Sequence, residues 1–150
     1  MLDDASSRAT APYAAILALL LVLFLLRVAG QLAVVAYHVP WLPPMVDWYS
    51  GLLPYRALLP AQIALAAVMA AVTLDFARGE GPFVEPRRAV GVVLAVASAI
   101  YFAAMILRAS LRIRRREGRR WYEAGTIPTA FHFVLASYLL TFALWHLRAS

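Results

Sequence analysis

Five long runs of residues without a charged side chain limit what this chain can fold into. They cover residues 9–26, 28–46, 57–74, 89–107 and 124–147. A helix needs about 20 apolar residues to cross the hydrocarbon core of a bilayer, and every run is close to that length or exceeds it. Hydrophobic residues make up 63% of the chain, whereas soluble domains have about 45–50%. The sequence therefore predicts an integral membrane protein.

Turn signals divide these runs into four predicted helices. Only Arg27 separates the first two runs, so they are expected to form one long helix. The motif RGEGP at residues 78–82 ends the second helix, Gly118 is a typical end for the third, and Pro128 suits the first turn of the fourth. The predicted fold is all-α, a single transmembrane four-helix bundle over residues 1–150. Its helices are expected at about residues 12–38, 56–77, 87–117 and 127–147.

Arginines are concentrated just beyond the third predicted span, in the segment RIRRREGRRW at residues 112–121. Anionic lipid headgroups attract basic side chains by about 1 kcal/mol each in this region. We interpret the segment as a topology anchor, with docking to lipid or to a partner protein as the alternative. Nucleic-acid binding is not expected, because no nucleic-acid-binding motif accompanies the charge. The expected headgroup-facing residues are Arg108, Arg112, Arg114, Arg115, Arg116, Arg119 and Arg120.

The same arginines predict an orientation. The loops after the first and third helices carry more of them than the opposite side does, so the positive-inside rule places residues 39–55 and 109–126 in the cytoplasm and both termini outside. All 14 basic residues are arginine, which with the richness in Ala, Val and Leu indicates a GC-rich bacterial genome. The predicted location is therefore the bacterial inner membrane.

The first loop, residues 39–55, combines several prolines with apolar and aromatic residues. Prolines interrupt a helix, while the apolar content favours the membrane interface over water. A structural lid over the end of the bundle is the simplest interpretation. The alternative is a floor for an amphipathic ligand such as a quinone, a pigment or a lipid, with Trp41 and Trp48 as apolar contacts and Asp47 and Arg56 as polar contacts.

Polar residues within the spans indicate where a ligand would bind. Arg27, Gln31 and His38 share one face of the first helix through offsets of 4 and 7. A charged group at such depth usually faces protein, a cavity or a ligand, and no Asp or Glu falls at a comparable depth in the predicted spans. His38 and His132 are expected at the same membrane face, where they are candidates for haem b ligation or for hydrogen bonds to a quinone. The predicted ligand-binding candidates are Arg27, Gln31, His38, Trp41, Asp47, Trp48 and His132.

Small residues at intervals of four mark a packing face on the third helix. They are Gly91, Ala95, Ala99 and Ala103. Small side chains let another helix approach closely in a membrane. The pattern does not distinguish packing within the chain from packing against a partner.

Catalytic signals are weak. The chain has no cysteine, phosphate-binding loop, HExxH motif, nucleophile elbow or pair of acids within a span, so an enzyme is not favoured. We expect an accessory or structural subunit of a larger bacterial membrane complex, respiratory or photosynthetic, in contact with lipids and with other subunits or a second copy. A membrane cytochrome or a quinone- or pigment-binding protein is the first alternative. A lipid-modifying enzyme or transporter is the second, and it would need a hydrated cavity at Arg27.

Overall fold

The computed structural model describes residues 2–37, 42, 55–114 and 126–149. These residues form four helices and no strand. The helices are α1 (Leu2–Tyr37), α2 (Tyr55–Arg78), α3 (Arg88–Arg114) and α4 (Thr126–Arg148). Each helix contains a segment that is long and apolar enough to cross a bilayer. The predicted all-α transmembrane four-helix bundle is therefore confirmed.

Helix α1 differs most from its predicted bounds, because it begins at Leu2 and not near residue 12. Pro12 lies inside it, where the missing backbone N–H removes one hydrogen bond without ending the helix. Alanines on both sides of Pro12 favour continuation, since alanine has the highest helix propensity. The 36 residues of α1 span about 54 Å at 1.5 Å per residue. That length exceeds the hydrocarbon core of about 30 Å, so α1 must tilt or extend beyond it.

The helices pack in the spatial order α2, α1, α4, α3. Helix α1 contacts both α2 and α4, and α3 packs against α4. Because successive helices alternate in direction, the bundle has two distinct ends. We call the end that holds residues 79–87 and the C-terminal residues of α4 the turn end. The opposite end, where α1 and α3 finish and α2 and α4 begin, is called the loop end.

Aromatic rings fill the turn end of the bundle. Phe76 is fully buried, and its ring centroid lies 6.5 Å from that of Tyr13, 5.9 Å from that of Phe142 and 5.5 Å from that of Trp145. Tyr13 and Trp145 also contact each other edge to face at 5.3 Å. These rings belong to α1, α2 and α4, so the cluster joins three helices.

The turn between α2 and α3 depends on two glycines with positive φ, Gly79 at 72° and Gly81 at 117°. A Cβ atom on Gly81 would lie 2.3 Å from Asp75 Oδ2, so a larger residue would be both strained and sterically excluded. The Asp75 carboxylate in turn accepts a hydrogen bond from the Phe83 backbone N–H at 3.3 Å. The turn is thus held against the last residues of α2.

The last residues of α4 fix the same turn from the other side. Trp145 Nε1 donates to the Val84 carbonyl oxygen at 2.7 Å. The Arg87 backbone N–H donates to His146 Nδ1 at 3.2 Å, directly before the first residue of α3. The first N–H groups of a helix lack partners within the helix, so His146 acts as a cap supplied by another helix.

Side-chain hydrogen bonds connect α4 to its neighbours deeper in the bundle. Tyr138 Oη donates to the Met69 carbonyl oxygen of α2 at 2.7 Å, and it lies 2.9 Å from Thr73 Oγ1. On the other side, Ser98 Oγ of α3 donates to the Ala136 carbonyl oxygen at 2.9 Å. Such bonds stabilise helix association by about 0.6–2 kcal/mol each in membranes.

The small-residue face of α3 is only partly used inside the bundle. Gly91 is buried, and a Cβ atom there would lie 2.9 Å from the Leu147 side chain, so α3 and α4 approach closely at this point. Ala95 is half-buried, whereas Ala99 and Ala103 are exposed. An interval of four residues advances about 40° around a helix with 3.6 residues per turn. The row of small residues therefore turns away from α4 as it approaches the loop end.

Candidate functional site

A partly enclosed cavity of about 190 Å³ lies between α1, α2 and α4 towards the loop end. Three polar side chains line it, Arg27 of α1, Gln62 of α2 and His132 of α4. The remaining lining residues are apolar: Phe24, Leu58, Ala61, Leu65, Phe131 and Leu135. A mainly apolar wall with a few convergent polar groups is typical of sites that bind small molecules.

The cavity lies near the loop end of the candidate membrane spans. Gln62 is about 9 Å along α2 from Arg56, the first charged residue of that span. His132 is likewise about 9 Å from Thr126, where α4 begins. A ligand in this cavity would therefore lie close to the loop end of the bundle.

Arg27 is held inside the bundle. The residue is only 9% exposed, and its guanidinium carbon lies 5.6 Å from the centroid of the Phe131 ring. Attraction between a cation and an aromatic face is worth about 0.5–2 kcal/mol, and it grows as water is removed. The guanidinium therefore belongs to the cavity wall and does not extend along the helix to the surface.

Gln31 and Gln62 form an interhelical amide pair beside Arg27. Gln62 Nε2 donates to Gln31 Oε1 at 3.2 Å, and the two residues are 6% and 1% exposed respectively. The other atom of each amide, Gln31 Nε2 and Gln62 Oε1, is buried without a hydrogen-bond partner among the described residues. An unsatisfied buried polar group costs about 1–3 kcal/mol. A ligand or water that reached these atoms would recover that energy.

His132 connects the cavity to α3. Tyr101 Oη is hydrogen-bonded to His132 Nδ1, and the two rings meet edge to face with their centroids 5.6 Å apart. When the tyrosine hydroxyl donates, neutral His132 carries its proton on Nε2, so the second ring nitrogen becomes a donor. The direction of this bond decides which ring nitrogen of His132 carries the proton.

The structure brings together part of the predicted ligand-binding set. Arg27 and Gln31 are both buried, and His132 lines the same cavity as Arg27. The other predicted residues, His38, Trp41, Asp47 and Trp48, lie outside the described residues, so the haem ligation by His38 and His132 stays a prediction. Within the described residues, no three His, Asp or Glu side chains lie close enough together to share a metal ion.

Sequence reasoning missed Gln62 and Tyr101. Gln62 lies in the first turns of α2, in a stretch otherwise rich in alanine and leucine, where a single amide between apolar residues was the available signal. Tyr101 lies among apolar residues of α3 and is typical of a lipid-facing or core ring. Only the packing of the helices shows that these two side chains meet Gln31 and His132.

Most of the arginine-rich segment lies beyond what the structure describes. Arg108 is half-buried near the end of α3 and Arg114 is exposed at its last residue. Arg112 belongs to α3, and its side chain lies outside the described part of the structure. Arg115, Arg116, Arg119 and Arg120 are also outside the described residues.

The fold and the cavity define a class: a small multi-pass membrane protein with a mainly apolar cavity, lined by a few polar side chains, inside a bundle of four candidate spans. Comparison of the chain with protein-family models, curated proteins and solved structures finds no match.

Proposed function

We propose that this protein binds the ring-shaped head of a membrane-dissolved ligand of the quinone class in the cavity at Arg27. The observation that carries the proposal is the cavity itself, which joins Arg27, Gln62 and His132 within an apolar wall. Binding, and not chemical conversion, is the proposed activity.

The size of the cavity supports a single ring. Its volume is about 190 Å³, and an apolar cavity of about 150 Å³ holds one benzene ring. A substituted quinone head fits this range, whereas a porphyrin is several times larger. Because the cavity is only partly enclosed, the hydrocarbon tail of a quinone has a way out.

The chemistry of the wall supports the same class. Phe24 and Phe131 offer aromatic surfaces to a flat ring. The Arg27 guanidinium lines the cavity and is a hydrogen-bond donor of the kind that ring carbonyl oxygens accept from. The position along α2 also suits such a head, since Gln62 lies about 9 Å from Arg56, where the candidate span of this helix begins.

The experiment uses the full chain in lipid nanodiscs, titrated with decylubiquinone by isothermal titration calorimetry against empty nanodiscs. We expect saturable binding by the protein. Leu135→Trp should fill the cavity and weaken binding at least tenfold. Leu140→Trp is the matched control, because Leu140 lies on the same helix and is exposed, so it should bind like the wild type.

Extraction in mild detergent followed by mass spectrometry of the retained small molecules provides an independent test. A co-purified quinone that is lost from Leu135→Trp and kept in Leu140→Trp would support the proposal. Absence of saturable binding in the wild type, or equal binding by Leu135→Trp, would refute it.

A second proposed role is that of an accessory subunit in a larger membrane assembly. It is favoured by α3, whose Ala99 and Ala103 are exposed. Small residues on an open helix face let a helix of another subunit approach closely. A respiratory or photosynthetic assembly is the setting that fits a quinone ligand.

The chain contains no cysteine, so single-cysteine variants test the second role without background. Ala99→Cys would carry a photoreactive crosslinker in native membranes. We expect one discrete protein adduct at this position and none with Ile63→Cys, an exposed position on α2. Identical lipid-only labelling at both positions would contradict the subunit role.

A further inference from the structure

His146 is a buried titratable side chain that the proposed binding function does not use. It lies at the turn end and is only 2% exposed. Its Nδ1 atom accepts a hydrogen bond from the Arg87 backbone N–H at 3.2 Å. We infer that His146 is a pH-sensitive latch: its neutral ring holds the turn between α2 and α3 closed, and protonation of the ring releases the turn.

The direction of this hydrogen bond fixes the state of the ring. A backbone N–H can only donate, so Nδ1 is the acceptor and carries no proton. The neutral ring then has its proton on Nε2. An imidazolium ring carries a proton on both nitrogens and has no acceptor left. Protonation of His146 and its bond to Arg87 therefore exclude each other.

The surroundings of the ring also disfavour a positive charge in the closed turn. The bond reaches the residue directly before α3, where the helix dipole has its positive end. The Arg87 guanidinium lies near enough to disfavour a second positive charge, whereas a hydrogen bond to the backbone of Glu85 favours it. Burial decides between them, because the ring is withdrawn from water and packs against Phe142 with the ring centroids 4.7 Å apart. A charged ring is therefore better accommodated when the turn is open.

The other titratable groups around the turn end keep their state over the pH range that matters. On α2, the Asp75 carboxylate is bonded to the turn, and on α1, Tyr13 belongs to the aromatic cluster. Glu85 pairs with Arg87 at the surface at 2.8 Å. Between about pH 7.5 and about pH 5.5 carboxylates and guanidinium groups stay charged and phenols stay neutral, so His146 is the group of the described turn end that titrates. The remaining charged side chains described at this end are exposed: Arg8, Arg78, Glu80, Arg88 and Arg148.

Protonation would break one of two bonds by which the end of α4 holds the turn. The other is the bond from Trp145 Nε1 to the Val84 carbonyl oxygen. Loss of the His146 bond frees the residue directly before α3 from α4. The orientation predicted from the arginines puts this end on the outer side of the membrane, where the pH follows that of the medium.

The size of the effect follows from the ordinary pKa of histidine, about 6.5, which applies to the ring in an open turn. The bond to Arg87 contributes fully above this pH and is lost as the pH falls below it, because the open turn accepts the proton and the closed turn does not. Between about pH 7.5 and about pH 5.5 the open fraction should therefore rise about tenfold.

The test measures opening through a single cysteine in the full chain, which contains no other. Val84→Cys places the thiol in the turn at a position that is 7% exposed. Glu80→Cys places it at an exposed position of the same turn. In lipid nanodiscs, the ratio of the two labelling rates with a methanethiosulfonate reagent reports the open fraction and cancels the pH dependence of the thiol. We expect this ratio to rise about tenfold from about pH 7.5 to about pH 5.5.

Substitutions of histidine test the cause. His146→Asn provides an amide oxygen that can accept from the Arg87 N–H and does not titrate, so the ratio should be the same at both pH values. His132→Asn is the matched control, because it removes a histidine towards the loop end and should keep the tenfold rise.

If His146→Asn does not fold, as judged by circular dichroism and gel filtration, His146→Gln offers the same acceptor on a longer side chain. A ratio that does not change with pH in the chain with His146 would overturn the latch by itself. An undiminished rise in folded His146→Asn or His146→Gln, or loss of the rise in His132→Asn, would also overturn it.

Discussion

The aromatic cluster at the turn end gives the most quantitative prediction, through the substitution Phe76→Leu. Phe76 is fully buried and makes ring contacts with Tyr13, Phe142 and Trp145. Leucine retains most of the side-chain volume and removes the aromatic ring. The substitution therefore separates the energy of the ring contacts from the energy of filling space.

The magnitude follows from the lipid environment. In soluble proteins a Phe→Ala substitution in the core costs about 3–5 kcal/mol, part of which is transfer from water. For a helix that stays in the membrane when the bundle comes apart, the transfer contribution is small, because lipid tails are as apolar as the core. Each ring contact contributes about 0.5–1.5 kcal/mol, so the three contacts of Phe76 contribute about 3 kcal/mol together. We expect Phe76→Leu to lower the free energy of unfolding by that amount.

The assay is unfolding in mixed micelles of dodecyl maltoside and dodecyl sulfate, followed by circular dichroism. Phe102→Leu is the matched control, because Phe102 is half-buried and makes one ring contact within the described residues, with Phe133 at 5.8 Å. It should lower the free energy of unfolding by about 1 kcal/mol. If Phe76→Leu costs no more than Phe102→Leu, the argument that ring contacts hold the turn end together is wrong.

Three further predictions use the same unfolding assay. Gln62→Leu should lower the free energy of unfolding by about 1–2 kcal/mol, because it leaves Gln31 buried with no interhelical hydrogen bond. Substituting leucine for both glutamines should recover much of that loss. A double variant whose loss equals the sum of the two single losses would contradict this. Gly91→Leu should lower the free energy of unfolding by about 1–3 kcal/mol and separate α3 from α4, since the added Cβ would lie 2.9 Å from the Leu147 side chain of α4. Gly91→Ala should lower it by less. Equal losses for the two substitutions would argue against close packing at this position. Trp145→Phe should lower the free energy of unfolding by about 1–3 kcal/mol, because the Val84 carbonyl oxygen loses its donor. An unchanged free energy of unfolding would show that this bond does not stabilise the turn.

The transmembrane fold could be predicted from the sequence because hydrocarbon imposes a length and a composition on each helix. Uncharged runs and the glycines near residue 80 indicated the number of helices and most of their ends. The early start of α1 could not be predicted in this way, since its first residues are not apolar. Their helical structure depends on local propensity, which tolerates Pro12.

Only some residues of the candidate site could be predicted from the sequence, for a related reason. Arg27 and Gln31 lie one turn apart on one helix, so periodicity alone places them on a common face. Gln62, which bonds to Gln31, and Tyr101, which bonds to His132, belong to other helices. A single sequence carries no information on how helices rotate against one another. The same rotation decides that Gly91 is buried against α4 while Ala99 is exposed.

The position of α4 in the bundle has a consequence for biosynthesis. It is the last described helix in the chain, yet it packs against α1 and α3 and bonds to α2 through Tyr138. Before α4 emerges from the ribosome, the first three helices lack the Trp145 and His146 contacts to the turn and the backbone acceptor of Ser98. In a nascent chain halted at this stage α1 could pack against α2, but α3 would lack α4, the described helix it packs against, so insertion of α4 would be the step that closes the bundle.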